Sequence, residues 1–368
     1  MFGATRHCLL VSVVVLAFAV NAMGEEAKPQ AAPVKPAKGL GLSGPKPEAR
    51  TINFPKESLG VVKVRDYGSA DPAAWKELAQ AQGSVSVPAG QEVMLKVSAE
   101  AAKNLAPLST LKPGDLDSLD LVASAVTDEG MSHVGKLTGL KSLYLAQTKV
   151  GDPGFAHLEK LTALQTLNAV RVPITDAGVS HLTKMTTLRA LNLSKCRITD
   201  EALVHLKSLT SLEILLLRST MIKGPGLVNL KGLTSLKTLS LGFGKLGPDA
   251  YAALQDMKSL RRLELSHTKI NSEQLARLKG LTDLKILELS STPLADDALA
   301  ELKAFKSLET LTLRANKKIT IKAVPYLKDL TSLKTLELRG TKFTEPGIDE
   351  LKKALPGCQI RWEAPKKK

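Results

Sequence analysis

Four histidines, His133, His157, His181 and His205, recur at a spacing of 24 residues. Imidazoles at a fixed spacing suggest a ladder of metal ligands. Ligand nitrogens must lie about 2.0–2.1 Å from a shared ion, whereas adjacent helices pack roughly 8–10 Å apart, so four cannot share one site. No carboxylate recurs with them, so the reading assigns no metal and expects each ring to hydrogen-bond a neighbouring loop. Gly39-Leu-Gly41-Leu-Ser-Gly44 fits the spacing of a dinucleotide-binding turn. It lies among prolines without the preceding strand and following helix that would aim amides at a pyrophosphate. The sequence has no phosphate-loop lysine, nucleophile elbow, zinc-ligand cluster or histidine-carboxylate pair at a special spacing, so we expect no enzyme and no cofactor. Asn192-Leu-Ser194 is a glycosylation sequon placed in an expected strand, where an acceptor is poorly accessible.

The same spacing governs the whole chain from Pro113 onward. Copies begin at Pro113, Leu137, Leu161, Met185, Leu209, Leu233, Met257, Leu281, Phe305 and Leu330, with one extra residue at Lys317 or Lys318. Within a copy, Leu140, Leu143 and Leu145 have strand-like spacing, while Val150, Phe155 and Leu158 follow a helical or 3₁₀ spacing. Each unit is therefore a strand followed by a short helix. Between the two sits a small polar residue, Thr148, Thr220, Thr268, Thr292, Asn316 or Thr341, with Cys196 in the same place. These side chains should point inward and satisfy backbone groups where strand gives way to loop. Thr175-Asp176 and Thr199-Asp200 then offer oxygens to the first helical amides. Gly154, Gly178, Ala202, Gly226 and Gly347 follow two positions later, so that neighbouring helices can approach closely.

The pattern Leu-Thr-x-Leu-x-x-Leu-x-Leu-x-x-Thr-x-Ile-Thr-Asp-x-Gly-Leu-x-x-Leu-Lys resembles a leucine-rich repeat, and it covers roughly two thirds of the chain. Its Ile-Thr-Asp-x-Gly segment is similar to the cysteine-containing subtype found in F-box proteins and to signal-bearing bacterial repeat proteins. The resemblance implies an α/β solenoid, a curved horseshoe with a parallel concave sheet and short convex helices, and a role as an interaction scaffold. The subtype also suggests a ubiquitin-ligase substrate adaptor, but no F-box-like helical segment precedes the repeats.

Around the repeats we expect a signal peptide over 1–24, from the apolar run Leu9–Val20 and the small residues Ala22 and Gly24. Cys8 precedes that run, which argues against a lipid anchor, and no later stretch is long and apolar enough to span a bilayer. Export would end in a periplasm, at a cell surface or in the medium. A disordered Pro/Ala/Lys linker should occupy 25–58. An N-terminal cap should occupy 59–112, with a strand at Val61–Val64, a helix from Asp71 to Gln82 and a hairpin from Val85 to Val97 turning on Pro88-Ala-Gly. Ten repeats fill 113–353, and a capping strand with Ile360 and Trp362, then a basic tail, fills 354–368. Cys196 and Cys358 lie too many repeats apart to form a disulfide, and the chain is expected to be monomeric.

The net charge of +15 raises nucleic acid as a partner, but aromatic residues, which stack on bases, make up only 4% of the chain. Lys207, Lys231, Lys279, Lys303, Lys328 and Lys352 share one repeat position and form a flank that an anionic glycan or cell surface could meet. A cation at a helix C-terminus is also favourable without any ligand. For a protein partner, the outward strand positions of the concave sheet form one row of Tyr144, Asn168, Asn192, Leu216, Glu264, Glu288 and Glu337. A second row holds Val170, Arg218, Arg314 and Arg339, with Phe243 and His267 bordering it. Leu216 and Phe243 are expected to be exposed, and exposed apolar side chains on a sheet point to an interface.

Overall fold

The computed structural model describes residues 41–42 and 46–364. The expected signal peptide, most of the expected linker and the last residues of the basic tail lie outside the described residues. The chain divides into two bodies, one of residues up to Arg197 together with Ser208–Leu215, the other of Ile198–Lys207 and the residues from Leu216 onward.

The first body begins with β1 (Arg50–Asn53), β2 (Gly60–Asp66), β3 (Lys76–Gln80), β4 (Ser84–Val87) and β5 (Gln91–Val97). The expected linker thus ends before residue 50. β1 pairs antiparallel with β4, and Ile52 and Phe54 are buried, so two large apolar side chains give this stretch a reason to fold. The expected helix from Asp71 to Gln82 is also corrected. Only Pro72–Ala74 forms a 3₁₀ turn, capped by the Asp71 side chain, and Lys76–Gln80 pairs as β3 with β2. Its Lys, Glu, Ala and Gln favour a helix locally, and pairing at a sheet edge overrides that preference. The hairpin expected at Val85–Val97 does not form either. The chain reverses there, but β4 joins β1 while β5 pairs with β2.

β5 is the rung that joins the cap to the repeats. It pairs parallel with β6 (Ser118–Asp120), which sets the buried Leu95 beside Leu119. The parallel ladder continues through β7 (Ser142–Tyr144), β8 (Thr166–Asn168) and β9 (Ala190–Asn192) with the central leucines in register. Beneath the cap, Arg65 Nε donates to Glu92 Oε2 at 2.6 Å, and Glu92 Oε1 accepts the Gly68 amide at 2.9 Å. Burial raises the Glu92 carboxyl above its ordinary range even against the Arg65 charge.

Ile214–Leu216 forms the next strand, β10. The second body repeats the ladder in β11 (Thr238–Ser240), β12 (Arg262–Glu264), β13 (Ile286–Glu288), β14 (Thr310–Thr312), β15 (Thr335–Glu337) and β16 (Gln359–Arg361). Each body thus holds a leucine-rich-repeat solenoid in which every strand from β6 onward occupies residues six to eight of its copy. β16 closes the series, and Trp362 donates its ring N–H to the Phe343 carbonyl at 3.2 Å. The helices are short, and several are 3₁₀ throughout, as in Asp200–Leu206 and Asp296–Ala304.

Recurring contacts close each copy and join it to the next. At residue twelve the inward hydroxyl donates to the carbonyl three residues back, as Thr148 does to Leu145 at 2.7 Å, Thr268 to Leu265 at 2.6 Å and Thr341 to Leu338 at 2.6 Å. Asn316 extends the scheme, donating to the Leu289 and Leu313 carbonyls and accepting from the Thr292 amide. Cys196 turns its thiol to the Ala169 carbonyl at 3.1 Å.

The aspartate at residue sixteen of a copy reaches further than its own helix. Asp128 accepts the Gly151 amide, Asp152 accepts the Thr175 amide and hydroxyl, and Asp296 does the same for Thr320. This explains the small residues. A Cβ at Gly154 would come within 2.5 Å of Asp128 Oδ1, and one at Gly178 within 2.4 Å of Asp152 Oδ1. The threonine caps the helix as expected, with Thr175 accepting from the Ala177 amide and Thr199 from the Glu201 amide.

Residue eleven is left-handed in every copy, at φ near +60° in Gln147, Lys195, Phe243, His267 and Ala315. Left-handed backbone costs about 1–2 kcal/mol for a residue with a Cβ. Here the amide is held by the next copy, as when Phe243 donates to the Ser266 carbonyl and His267 to the Ser290 carbonyl.

Candidate concave-face binding site

The residues expected on the concave face fall into two groups. In the first body they are closed in. Asn168, Asn192 and Val170 are buried, and Tyr144 is half-buried with burial raising its phenol above the usual range. Asn168 and Asn192 turn their amide oxygens to the backbone N–H two residues on, at Val170 and Ser194, where the strand bends away. The sequon asparagine Asn192 thus has its side-chain oxygen engaged at 3.0 Å.

The chain's own N-terminal part lies against this end of the first body. The Lys141 ammonium sits 5.2 Å from the centre of the Tyr67 ring. The Gly41 carbonyl accepts from Arg189 at 3.1 Å, and Gly41 packs so tightly on Gly68 that an added Cβ would lie 2.2 Å from its carbonyl oxygen. The expectation that Asn168, Asn192 and Val170 are open on the concave face is corrected by their burial and by the Asn168 and Asn192 hydrogen bonds to the Val170 and Ser194 amides.

In the second body the row at residue eight is also less open than the alternation of a strand implies. Leu216 is buried at 6% exposure, which corrects its assignment as an exposed apolar residue. Glu264 and Glu337 are buried too, and each carboxylate of this row meets an arginine. Glu337 takes Arg339 through two nitrogens at 2.9 and 2.6 Å, Glu288 pairs with Arg262, and Glu264 Oε1 lies 3.7 Å from Arg218. Ser240 donates to Glu264, and the Gly242 amide reaches it at 3.3 Å. Burial raises the Glu264 carboxyl, with Arg218 opposing and Glu288 adding to the shift.

Above this layer of paired charges stand the residues that meet solvent. Phe243 is 44% exposed, and His267 is exposed beside it. Their rings stack with centroids 3.9 Å apart and planes 14° from parallel. The Arg218 guanidinium lies 4.6 Å from the Phe243 centroid, so Phe243 is held between a cation and an imidazole. Burial and the Arg218 charge lower the His267 pKa, leaving its ring neutral at physiological pH. Arg314 is exposed, and no acidic partner meets it among the described residues. The left-handed turn explains the exposure of Phe243 and His267, because it throws residue eleven outward after the strand has ended. The sequence signal was the variety of that position, Gln147, Arg171, Lys195, Phe243 and His267 among otherwise conservative neighbours.

The histidine series forms no ligand cluster. His181 Nδ1 meets Glu159 Oε1 of the preceding copy at 2.7 Å, a contact that holds the Glu159 carboxyl below its usual range. His133 Nδ1 is buried with no partner among the described residues. Of the lysine flank, Lys231 pairs with Asp256 at 2.7 Å and Lys352 with Asp349 at 3.8 Å. Cys196 and Cys358 are free thiols. Burial pushes the Cys196 thiol up to about 12 and raises that of Cys358 less far. No helix among the described residues is long and apolar enough to cross a membrane.

Comparison with known proteins agrees with this architecture. A family model described as Leucine Rich repeat matches residues 184–207. No curated protein matches the sequence. Among solved structures, an internalin, InlF, from Listeria monocytogenes is similar over 75% of this chain and 87% of its own, with 22% identity and a TM-score of 0.56. Internalin C2 from the same organism aligns over 64% of this chain and 83% of its own, with 22% identity and a TM-score of 0.44. The first likeness is one of fold. Together with the 24-residue register, the inward threonines and the parallel ladders in each body, it identifies the chain as a leucine-rich-repeat protein.

Proposed function

We propose that this chain is an exported, non-enzymatic scaffold that binds a protein partner through the exposed sheet face of its second body. The observation that carries the reading is the Arg218, Phe243 and His267 stack. Phe243 keeps 44% exposure although His267 and Arg218 pack on its ring, so the fold leaves apolar edge surface there that it does not cover. Binding energy at protein interfaces concentrates in such aromatic and arginine anchors. The anchor is also rigid, since the left-handed backbone and the buried Glu264 fix the stack before any partner arrives. Export rests on the short apolar run Leu9–Val20 and the small residues after it. The glycan reading is weaker because two of the six flank lysines are already paired with carboxylates.

The test is a photo-crosslinking amino acid placed at Ser291, on the exposed face, and in a second protein at Lys279, on the lysine flank. Crosslinks to one discrete protein from Ser291 alone support the proposal. Crosslinks from Lys279 alone, or from neither, refute it.

A further inference from the structure

Along the exposed row of the second body, the stack ends abruptly. After Phe243 and His267, the same position in the next copies holds Ser291, Ala315 and Gly340. One face of Phe243 is covered by Arg218 and the other by His267, so the imidazole's far face is the open end of the stack. Successive copies lie about one strand spacing apart, roughly 4.8 Å, close to the 3.9 Å step between the two rings. The place where the next planar group would sit is therefore beside Ser291, a side chain too small to fill it. Beyond it the small residues leave a shelf.

The charges around that shelf are one-sided. Arg314 directly precedes Ala315, while Lys269 and Lys342 follow His267 and Gly340 by two residues. All three are exposed, and none has a carboxylate partner among the described residues. The acids of the neighbouring row, Glu264, Glu288 and Glu337, are each already paired with arginine. Glu363, exposed at the far end of the row, lies near Arg339, so it is the stretch holding Lys269 and Arg314 whose uncompensated charge is cationic, and an incoming group meets it there without first having to break an ion pair.

We propose that the shelf binds an acidic peptide segment of the partner, with an aromatic side chain of that segment stacked on the outer face of His267 and its carboxylates meeting Lys269, Arg314 and Lys342. This rests on the proposed function and names the chemistry of its partner. A sulfated or uronic polysaccharide is the less suitable occupant, because its evenly spaced anions would run along the sheet and face the carboxylates at residue eight. A peptide can place its acids on the cationic side alone.

The experiment selects displayed random 12-residue peptides on the full-length chain. Binders are then tested by anisotropy against the wild type, His267→Ala, Ser291→Trp and Lys269→Glu, and in competition with heparin. We expect enrichment of acidic peptides carrying a Trp, Tyr or Phe. Replacing that aromatic by Ala should weaken binding at least tenfold on the wild type and by less than threefold on His267→Ala. Ser291→Trp, which fills the slot, should abolish binding while leaving Tm unchanged. Basic or neutral enriched peptides, no enrichment, an aromatic effect that survives His267→Ala, or full displacement by heparin at equal charge concentration would each overturn the proposal. If the crosslinks from Ser291 succeed while the enriched peptides are not acidic, the chemistry is wrong and the binding face stands.

Discussion

Replacing Asp200 by alanine tests the cross-copy contact most severely. Its carboxylate accepts three backbone amides of the next copy, Oδ2 from Lys223 and Oδ1 from Gly224 and Gly226, each at 2.9 Å. A hydrogen bond to a charged group contributes about 1.5–3 kcal/mol, which for three would give roughly 4–9 kcal/mol. Two facts reduce that figure. The three amides are part-buried or exposed, so water replaces some of what is lost. Gly226 packs within 2.4 Å of the Asp200 carbonyl measured from an added Cβ, so the backbones stay close without the side chain. We therefore expect Asp200→Ala to cost about 2–4 kcal/mol. Asp200→Asn should cost less, about 1–2 kcal/mol, since one oxygen still accepts from Gly224 and Gly226, while the new amide NH2 opposes the Lys223 N–H donor to donor and leaves it without its acceptor. Urea unfolding gives the energies, and hydrogen exchange shows whether the amides of Lys223, Gly224 and Gly226 lose protection ahead of the rest. A cost below about 0.5 kcal/mol, the range of ordinary surface changes, would refute the view that this aspartate joins adjacent copies.

Three further outcomes follow from the same geometry. Leu239→Ala, at a fully buried ladder leucine, should cost about 2–5 kcal/mol, whereas Lys279→Ala on the exposed flank should stay within about 0.5 kcal/mol of wild type by thermal or urea unfolding. Alkylation at pH 8 followed by peptide mass analysis should modify Cys358 in the folded chain and Cys196 only after denaturation, because burial holds the Cys196 thiol at about 12. The folded Glu264 carboxyl titrates above its unfolded value, so it is neutral to stability below about pH 4.3 and increasingly unfavourable as pH rises through the folded value. Unfolding of Glu264→Gln across pH 4 to 8 should thus show the variant gaining on wild type as pH rises, and a pH-independent difference would contradict the assignment.

The repeats were legible because their information is local. Leucines at residues four, seven and nine, the threonine at twelve and the Thr-Asp pair all act within one copy or directly against its identical neighbour, so one period reveals their roles. Asp128, Asp152 and Asp200 show where that stops. Asp200 was read as serving its own helix, yet the partners of all three lie 23 to 26 residues on, a relation no local pattern displays. The cap lacks a period, so only propensity was available, and pairing of Lys76–Gln80 with β2 overrode it. The candidate site was half legible for a similar reason. Strand alternation assigned Leu216, Asn168 and Asn192 outward, but three-residue strands are too short for alternation to govern their ends, and these side chains close onto the bending backbone. Phe243 and His267 were identified as neighbours of the face. Their stacking depends on the left-handed turn at residue eleven, which the sequence conceals because nine of the ten copies carry a residue other than glycine there.

The most direct test is the affinity of the protein crosslinked from Ser291, measured by calorimetry for wild type, Phe243→Ala, His267→Ala and Arg218→Ala, with Tm recorded for each. The stack predicts that at least one variant loses about 2 kcal/mol or more of binding, roughly thirtyfold in Kd, while unfolding changes little. Undiminished affinity in all three variants, each still folded, would contradict the assignment of this face as the binding surface.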